Sequence, residues 1–194
     1  HHGAAPIGDH RRHLDHPHGR GLDHVEGPGA PGRDETAAVG AGTGDALPYE
    51  DTGACIRAIL EEMAVDGWSP IHESNRVIAL RKGDASITLE PGGQVEMSGR
   101  QCESMHEAHD EFVDHCARLA SVSRRLNVAF LGLGATPLTP FDKLPWMPKQ
   151  RYRIMREIMR TTGRMGHRMM QQTATVQGNF DYESEEDARR KLRV

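Results

Sequence analysis

The sequence is poor in aromatic residues and in cysteine. Aromatic side chains make up 5% of its 194 residues, and it has three cysteines, Cys55, Cys102 and Cys116. An odd number of cysteines cannot pair off completely, and none of them forms a Cys-x-x-Cys unit typical of zinc or redox sites. We therefore expect free thiols in a reducing, cytoplasmic environment rather than a disulfide-stabilised secreted fold.

The chain also lacks an excess of positive charge and a long apolar run. Lysine and arginine number 24 against 28 aspartates and glutamates, giving a formal net charge of -4. A sequence-independent nucleic-acid binder needs a basic surface, and a membrane-spanning helix needs a continuous apolar stretch. We expect neither nucleic acid nor membrane as a partner. Walker loops, nucleophile elbows and two-histidine metalloprotease motifs are absent as well.

Residues 1–46 differ in composition from the rest of the chain. They hold seven of the twelve histidines and ten of the 21 glycines, and they contain no aromatic residue. Such a segment buries too little apolar surface to offset a backbone-ordering cost of about 1–2 kcal/mol per residue. The composition predicts a disordered, low-complexity or mistranslated tail over residues 1–46 and a folded region over residues 47–194.

The pattern from residue 47 onward is that of an α+β domain. Helices are predicted over residues 51–65, 104–126, 151–161 and from Ser184 onward, and strands over residues 76–81, 85–90, 94–98, 127–134 and 173–182. The expected buried stripes are Ile56, Ile59, Leu60 and Met63, then Met105, His109, Phe112, Cys116, Leu119 and Leu126, and then Ile154, Met155, Ile158 and Met159. The nearly all-apolar segment 127–134 is typical of a strand at the centre of a sheet.

Two carboxylates share parity on neighbouring predicted strands. Glu90 and Glu96 both alternate with apolar residues, so they are expected on one face of the sheet, on either side of a Pro-Gly-Gly turn. Oxygen ligands without nearby cysteine or histidine suit a hard cation such as Mg²⁺. The alternative is that both glutamates are solvated residues on an exposed face.

A row of short polar side chains marks the last predicted strand: Thr173, Thr175, Gln177 and Asn179. Such a row suits the orientation of a small polar molecule, although an exposed edge strand would look the same. Arg151, near the start of the third predicted helix, either recognises an anion or is a solvated helix residue.

Four blocks of this sequence resemble plant-type and proteobacterial glutamate–cysteine ligases. They are Ile87-Thr88-Leu89-Glu90-Pro91-Gly92-Gly93-Gln94-Val95-Glu96-Met97-Ser98-Gly99, Phe130-Leu131-Gly132-Leu133-Gly134, the run from Met147 to Arg156, and Met169-Met170 followed by the run from Thr173 to Asp181. The blocks occur in the family's order and at similar separations, which makes them more specific together than any one motif.

The resemblance implies a glutamine-synthetase-like catalytic fold, in which a curved antiparallel sheet with flanking helices holds ATP and Mg²⁺. It implies ATP-dependent phosphorylation of the γ-carboxylate of glutamate, followed by attack of the cysteine amine to give γ-glutamylcysteine, the first step of glutathione biosynthesis. Glu90 and Glu96 match metal-ligand positions, and Arg151 matches a position suited to a substrate carboxylate or phosphate. Thr173, Thr175, Gln177 and Asn179 match the strand that lines the amino-acid site.

The sequence also departs from that family. No Gly-Thr-Glu-His-Glu-Lys-type strand, which would supply further metal-binding glutamates, is found before Leu47, and the resemblance implies that residues 47–194 are the N-terminal part of an incomplete catalytic domain, inactive alone. Two other hypotheses stay open: a ligase with another amine acceptor, and a noncatalytic ligand-binding module. The sequence leaves the oligomeric state open.

Overall fold

A computed structural model describes residues 33–177 and 182–193 of the chain. The strands are β1 Arg33–Gly40, β2 Ser69–Glu73, β3 Arg76–Lys82, β4 Ala85–Leu89, β5 Val95–Ser98, β6 Val128–Leu131 and β7 Val176–Gln177. The helices are α1 Ile56–Met63, α2 Met105–Leu126, α3 Gln150–Thr161, α4 Gly166–Gln172 and α5 Glu185–Lys191, with a 3-10 turn at Phe141–Lys143. The predicted α+β class is confirmed.

The strands form one antiparallel sheet in the order β2-β3-β4-β5-β1-β6, and β7 also pairs with β1. β1 is shared between neighbours: its first half pairs with β5 and its second half with β6. The nearly all-apolar β6 therefore lies at the edge of the described sheet, next to β1, and the prediction that it would be central is wrong. β2, which contains Pro70 and lacks apolar alternation, was not predicted.

The position of β1 corrects the predicted domain boundary. Ala37, Ala38 and Val39 are buried in the sheet, and Val39 forms a bridge with Ala46. The expectation of disorder is therefore wrong for residues 33–46, because backbone pairing to β5 and β6 stabilises a strand that its own small side chains do not predict. Residues 1–32, the rest of the predicted tail, lie outside the described part of the chain.

Helix α1 packs on the sheet through the apolar stripe that the sequence predicts. Its four stripe residues, Ile56, Ile59, Leu60 and Met63, are fully buried against Leu80, Ile87, Leu89 and Val95 of the sheet. Burying side chains of this size typically contributes about 1.5–3 kcal/mol each. This cluster holds β3, β4 and β5 in place and so fixes the strands that carry the candidate site.

The buried face of α2 differs from the prediction. The helix begins after Ser104, whose hydroxyl accepts a hydrogen bond from the Glu107 backbone N–H, and ends at Asn127 in the left-handed conformation. Its buried residues are His115, Leu119 and Val122, whereas Met105 is 85% exposed. Only the later turns of α2 contact the core, so the first part of the predicted stripe faces solvent.

The predicted buried face of helix α3 is only partly correct. Its fully buried side chain is Tyr152, whereas Ile154 and Ile158 are more than half exposed. Of the predicted stripe, Met155 packs against the core and Met159 is half-buried. No helix in the described part of the chain combines the length and the apolar character needed to cross a membrane.

Buried His115 makes stability depend on pH. Neither ring nitrogen has a hydrogen-bond partner among the described residues, and burial, followed by the charge of Arg118, lowers its pKa from 6.5 to about 4. The imidazole of His115 takes up a proton less readily in the folded state than in the unfolded state. The resulting contribution to the free energy of unfolding is therefore fully present above about pH 6.5 and is lost progressively toward pH 4. The difference between these two pKa values corresponds to a loss of at most about 3 kcal/mol in the free energy of unfolding.

Urea unfolding at pH 7 and pH 5 tests this prediction. The His115→Leu variant, which cannot be protonated, is expected to lose less stability between the two pH values than the wild-type chain. Exposed His109 provides the matched control, and His109→Leu should keep the wild-type pH dependence. Equal pH dependence in the wild type and His115→Leu would show that His115 does not control acid stability.

Candidate active site

Strand register places three polar side chains in a row on one face of the sheet. Thr88 of β4 lies opposite Glu96 of β5, and Glu96 lies opposite Glu35 of β1. Side chains directly opposite in antiparallel strands point to the same face. The row alternates with core residues such as Ile87 and Val95, so the carboxylates lie on the face away from that cluster.

Glu90 joins this row through the turn between β4 and β5. Its backbone N–H donates to the Gln94 carbonyl at 2.9 Å, and its carbonyl accepts from the Gly93 N–H at 2.9 Å. The turn closes across Pro91 and positive-φ Gly93, so it returns the chain to β5 without breaking the alternation. The structure thus brings Glu90 and Glu96 together, as the shared parity predicts.

Glu96 is the most buried of the three carboxylates, at 5% exposure. It accepts hydrogen bonds from the hydroxyls of Thr88 and Ser98, each at 3.2 Å. The guanidinium of Arg33 lies 3.4 Å from its Oε1. These contacts hold the carboxylate in one orientation. Its cationic partner, Arg33, is about half exposed.

The electrostatics of Glu90 show that negative charge accumulates here. Burial raises its pKa to about 7, and a hydrogen bond and repulsion from Glu96, with further repulsion from Glu35, act in the same direction. The nearest opposing charge is Arg151, whose Nη2 lies 3.8 Å from Glu90 Oε1. The cluster therefore has room for additional positive charge.

Glu35 is a site residue that the sequence analysis missed. Its carboxylate accepts hydrogen bonds from the backbone N–H and the hydroxyl of Thr175, at 3.0 and 3.2 Å. Burial raises its pKa, and the two bonds from Thr175 oppose that shift. The available signal is the acidic pair Asp34-Glu35, separated by Thr36 from an Ala-Ala-Val run, but the low apolar content of the segment conceals the strand.

Arg151 is oriented by its neighbours at the start of α3. Its guanidinium donates to the Tyr152 hydroxyl at 2.8 Å and stacks 4.8 Å from the centre of that ring. The Tyr152 hydroxyl and the Lys149 ammonium both donate to the Leu89 carbonyl, the latter at 2.8 Å. Burial, followed by the charge of Arg151, lowers the pKa of Lys149 to about 8.

The predicted polar row is only partly assembled. Thr175 contacts Glu35, whereas the Thr173 hydroxyl donates to the Met169 carbonyl at 2.5 Å. Gln177, in β7, is exposed and pairs with Arg33 of β1. Asn179 lies outside the described residues. The described strand is limited to Val176–Gln177, and Val176 is 81% exposed.

Gln94 anchors the segment that carries Thr175. Its buried amide donates to the carbonyls of Gln171 and Thr173, at 3.1 and 2.5 Å, and Gln171 in turn donates to the Leu144 and Pro145 carbonyls. This network joins the turn after β4 to the end of α4. Gln94 shares the parity of Glu90 and Glu96, but alternation along the strand does not indicate this anchoring role.

The donor set fits a hard, partly hydrated cation. Among the described residues, no group of three or more histidine, cysteine, aspartate or glutamate side chains is arranged to hold a metal ion by itself. Magnesium commonly uses one or two carboxylates and keeps several waters, to which substrate phosphates are added. Glu90 and Glu96, with Glu35 alongside, provide oxygen ligands of this kind.

Comparison with known proteins identifies the family. The family model described as Glutamate-cysteine ligase family 2 matches residues 34–194, and so includes β1 from Asp34 onward and all three carboxylates. The chain belongs to glutamate-cysteine ligase family 2. The predicted resemblance is confirmed, and the match begins within the predicted tail rather than at Leu47.

The chain is similar to curated ligases from plants. The chain is 43% identical over 140 residues to glutamate–cysteine ligase A, chloroplastic, from Oryza sativa subsp. japonica, and 37% identical over 148 residues to glutamate–cysteine ligase, chloroplastic, from Arabidopsis thaliana. These alignments cover 72% and 76% of this chain and 28% of each relative. The chain thus corresponds to under a third of the length of those ligases.

Proposed function

We propose that this chain forms part of an ATP- and Mg²⁺-dependent ligase that joins L-glutamate to L-cysteine, giving γ-glutamylcysteine in the first step of glutathione biosynthesis. The observation that carries the proposal is the cluster of Glu35, Glu90 and Glu96 beside Arg151 on one sheet face. Family membership and relatives named glutamate–cysteine ligase support the choice of reaction. The glutamine-synthetase-like fold is part of the same proposal.

The proposed reaction must bring a carboxylate to a triphosphate. ATP would phosphorylate the γ-carboxylate of glutamate, and the cysteine amine would displace phosphate from the acyl phosphate, so that ADP and phosphate leave. Bound Mg²⁺ supplies positive charge that offsets the repulsion between these anions. Glu90 and Glu96 would hold the cation, because these two carboxylates are neighbours on one face, and Glu35 lies alongside them.

The cationic and polar groups would position the anions. Arg151, held by the ring and hydroxyl of Tyr152, would contact a substrate carboxylate or a phosphate oxygen. Thr175 would contact the amino-acid substrate next to Glu35. Substrate roles for Thr173, Gln177 and Asn179 stay predictions. A cytoplasmic location is likewise a prediction, and the plant relatives are named chloroplastic.

An ADP-release assay on a ligase chain that contains this segment tests the reaction. With ATP and glutamate, cysteine is expected to support turnover at least about tenfold better than glycine or alanine, because a specific acceptor pocket discriminates by differential transition-state binding. Mass spectrometry should find γ-glutamylcysteine. Faster turnover with another amine would favour the alternative ligase hypothesis, and ligand binding without ADP release would favour the noncatalytic module.

A further inference from the structure

A pocket lies at the start of α3. It has a volume of about 510 Å³ and is bordered by the β2–β3 turn and by residues 146–156. Its lining includes Lys149 and Tyr152 but none of the three clustered carboxylates. We call it the α3 pocket, and the residues that matter for its chemistry are Glu73, Arg76, Trp146, Lys149, Arg153 and Arg156.

The α3 pocket has an excess of positive charge. Four cationic side chains and a single carboxylate, Glu73, line it. Glu73 already accepts a hydrogen bond from the Gln150 backbone N–H at 2.6 Å, and Arg76 lies 3.9 Å from Glu50. In the described part of the chain, Arg153 has no acidic partner. The pocket therefore offers charge that an anion could neutralise.

Arg156 is held in place without a carboxylate. Its guanidinium lies 4.8 Å from the centre of the Trp146 ring, and His167 meets the same ring edge-on at 5.8 Å. His167 Nε2 also lies 2.7 Å from the Arg156 carbonyl oxygen. Stacking orients the planar guanidinium and leaves its N–H groups available for a ligand.

The helix adds to this potential. The twelve-residue α3 has no acidic residue in its first turn, and Glu73 from β2 is the carboxylate that reaches its N-terminus. Helix N-termini carry a partial positive charge. The dipole and the cationic side chains thus act in the same direction at the mouth of the pocket.

We propose that the α3 pocket binds a phosphate-bearing anion, with Arg153 and Arg156 as its principal contacts. Planar guanidinium groups match phosphate oxygens in paired hydrogen bonds, and none of the three clustered carboxylates lines the pocket. The proposal goes beyond the ligase reaction, because it concerns binding to this chain in the absence of metal and of turnover.

Trp146 provides a direct readout of binding. In a Trp68→Phe background it is the remaining tryptophan, and its fluorescence can be followed while inorganic phosphate, tripolyphosphate or ATP is added in a buffer containing EDTA. Saturable changes are expected with tripolyphosphate and, more weakly, with phosphate. ATP binding tighter than tripolyphosphate would identify a nucleotide as the ligand, and equal affinity would identify the phosphate chain; both support the proposal.

Arginine variants separate the pocket from general surface charge. Arg153→Gln is expected to weaken tripolyphosphate binding by about tenfold, and Arg153→Lys by less. The control is Arg160→Gln on the same helix, where Arg160 lies 3.5 Å from Glu157 and outside the pocket lining. Circular dichroism checks folding. Absence of saturable binding, or equal weakening by Arg153→Gln and Arg160→Gln, would overturn the proposal, and failure of the ligase assay would leave it intact.

Discussion

Replacing Glu96 with glutamine is expected to lower ligase turnover by about a hundredfold or more while the fold is retained. Glutamine keeps the shape of the side chain, and its amide oxygen can accept from one of the two hydroxyls that hold Glu96 at 3.2 Å, those of Thr88 and Ser98, while its NH2 group donates to the other. It removes the negative charge that would hold Mg²⁺ against the substrate anions. Losses of this size are typical when one preorganised electrostatic contact is removed.

Two measurements are needed to test the role of Glu96. Turnover is measured in a ligase chain that contains this segment, and Mn²⁺ affinity is measured in the present chain by electron paramagnetic resonance. Glu61→Gln is the matched control, because exposed Glu61 pairs with Arg57 on the surface of α1. Wild-type turnover and Mn²⁺ affinity in Glu96→Gln would refute the assignment of Glu96 as a metal ligand.

Replacing Gly92 with alanine is expected to destabilise the chain by about 3 kcal/mol and to detach α4 from the turn after β4. A Cβ at position 92 would lie 2.0 Å from the Gln171 carbonyl oxygen and 2.9 Å from Gln94 Oε1. The first of these atoms belongs to backbone, so the helix itself must move, and overpacking of this kind typically costs about 1–3 kcal/mol. The displacement also breaks the Gln94 contacts to Gln171 and Thr173.

Urea unfolding and hydrogen exchange of α4 measure this effect. Gly42→Ala is the control, because a Cβ at Gly42 meets nothing within 4 Å, and its stability should stay within about 0.5 kcal/mol of the wild type. Protection of the amides in Gly166–Gln172 should fall in the Gly92 variant alone. Unchanged stability and protection in Gly92→Ala would contradict the close packing of the turn against α4.

The spacing of apolar residues along the chain was enough to predict helix α1 and strands β3, β4 and β5. The α1 stripe at Ile56, Ile59, Leu60 and Met63 is buried as its period predicts, and β3, β4 and β5 fall close to their expected positions. In α2 and α3 the same reasoning chose a partly exposed face. A periodic stripe shows which residues share a side of a helix, but the neighbouring sheet decides how much of that side is covered.

The candidate site shows the same division. Alternation along β4 and β5 was sufficient to predict that Glu90 and Glu96 share a face, since side-chain direction follows from strand geometry. Glu35 could not be found in this way. Its strand depends on hydrogen bonds to β5 and β6, which are distant in sequence, and the small side chains of Ala37 and Ala38 give little propensity of their own.

The sequence by itself determined the family, the α+β class and the shared face of Glu90 and Glu96, because motif blocks and side-chain periodicity are properties of consecutive residues. Only the tertiary structure decided that β1 joins Glu35 to them, that Tyr152 orients Arg151, and that a separate cationic pocket forms at α3. Register between distant strands, desolvation and the sum of nearby charges depend on neighbours in space, which the order of residues along the chain does not specify.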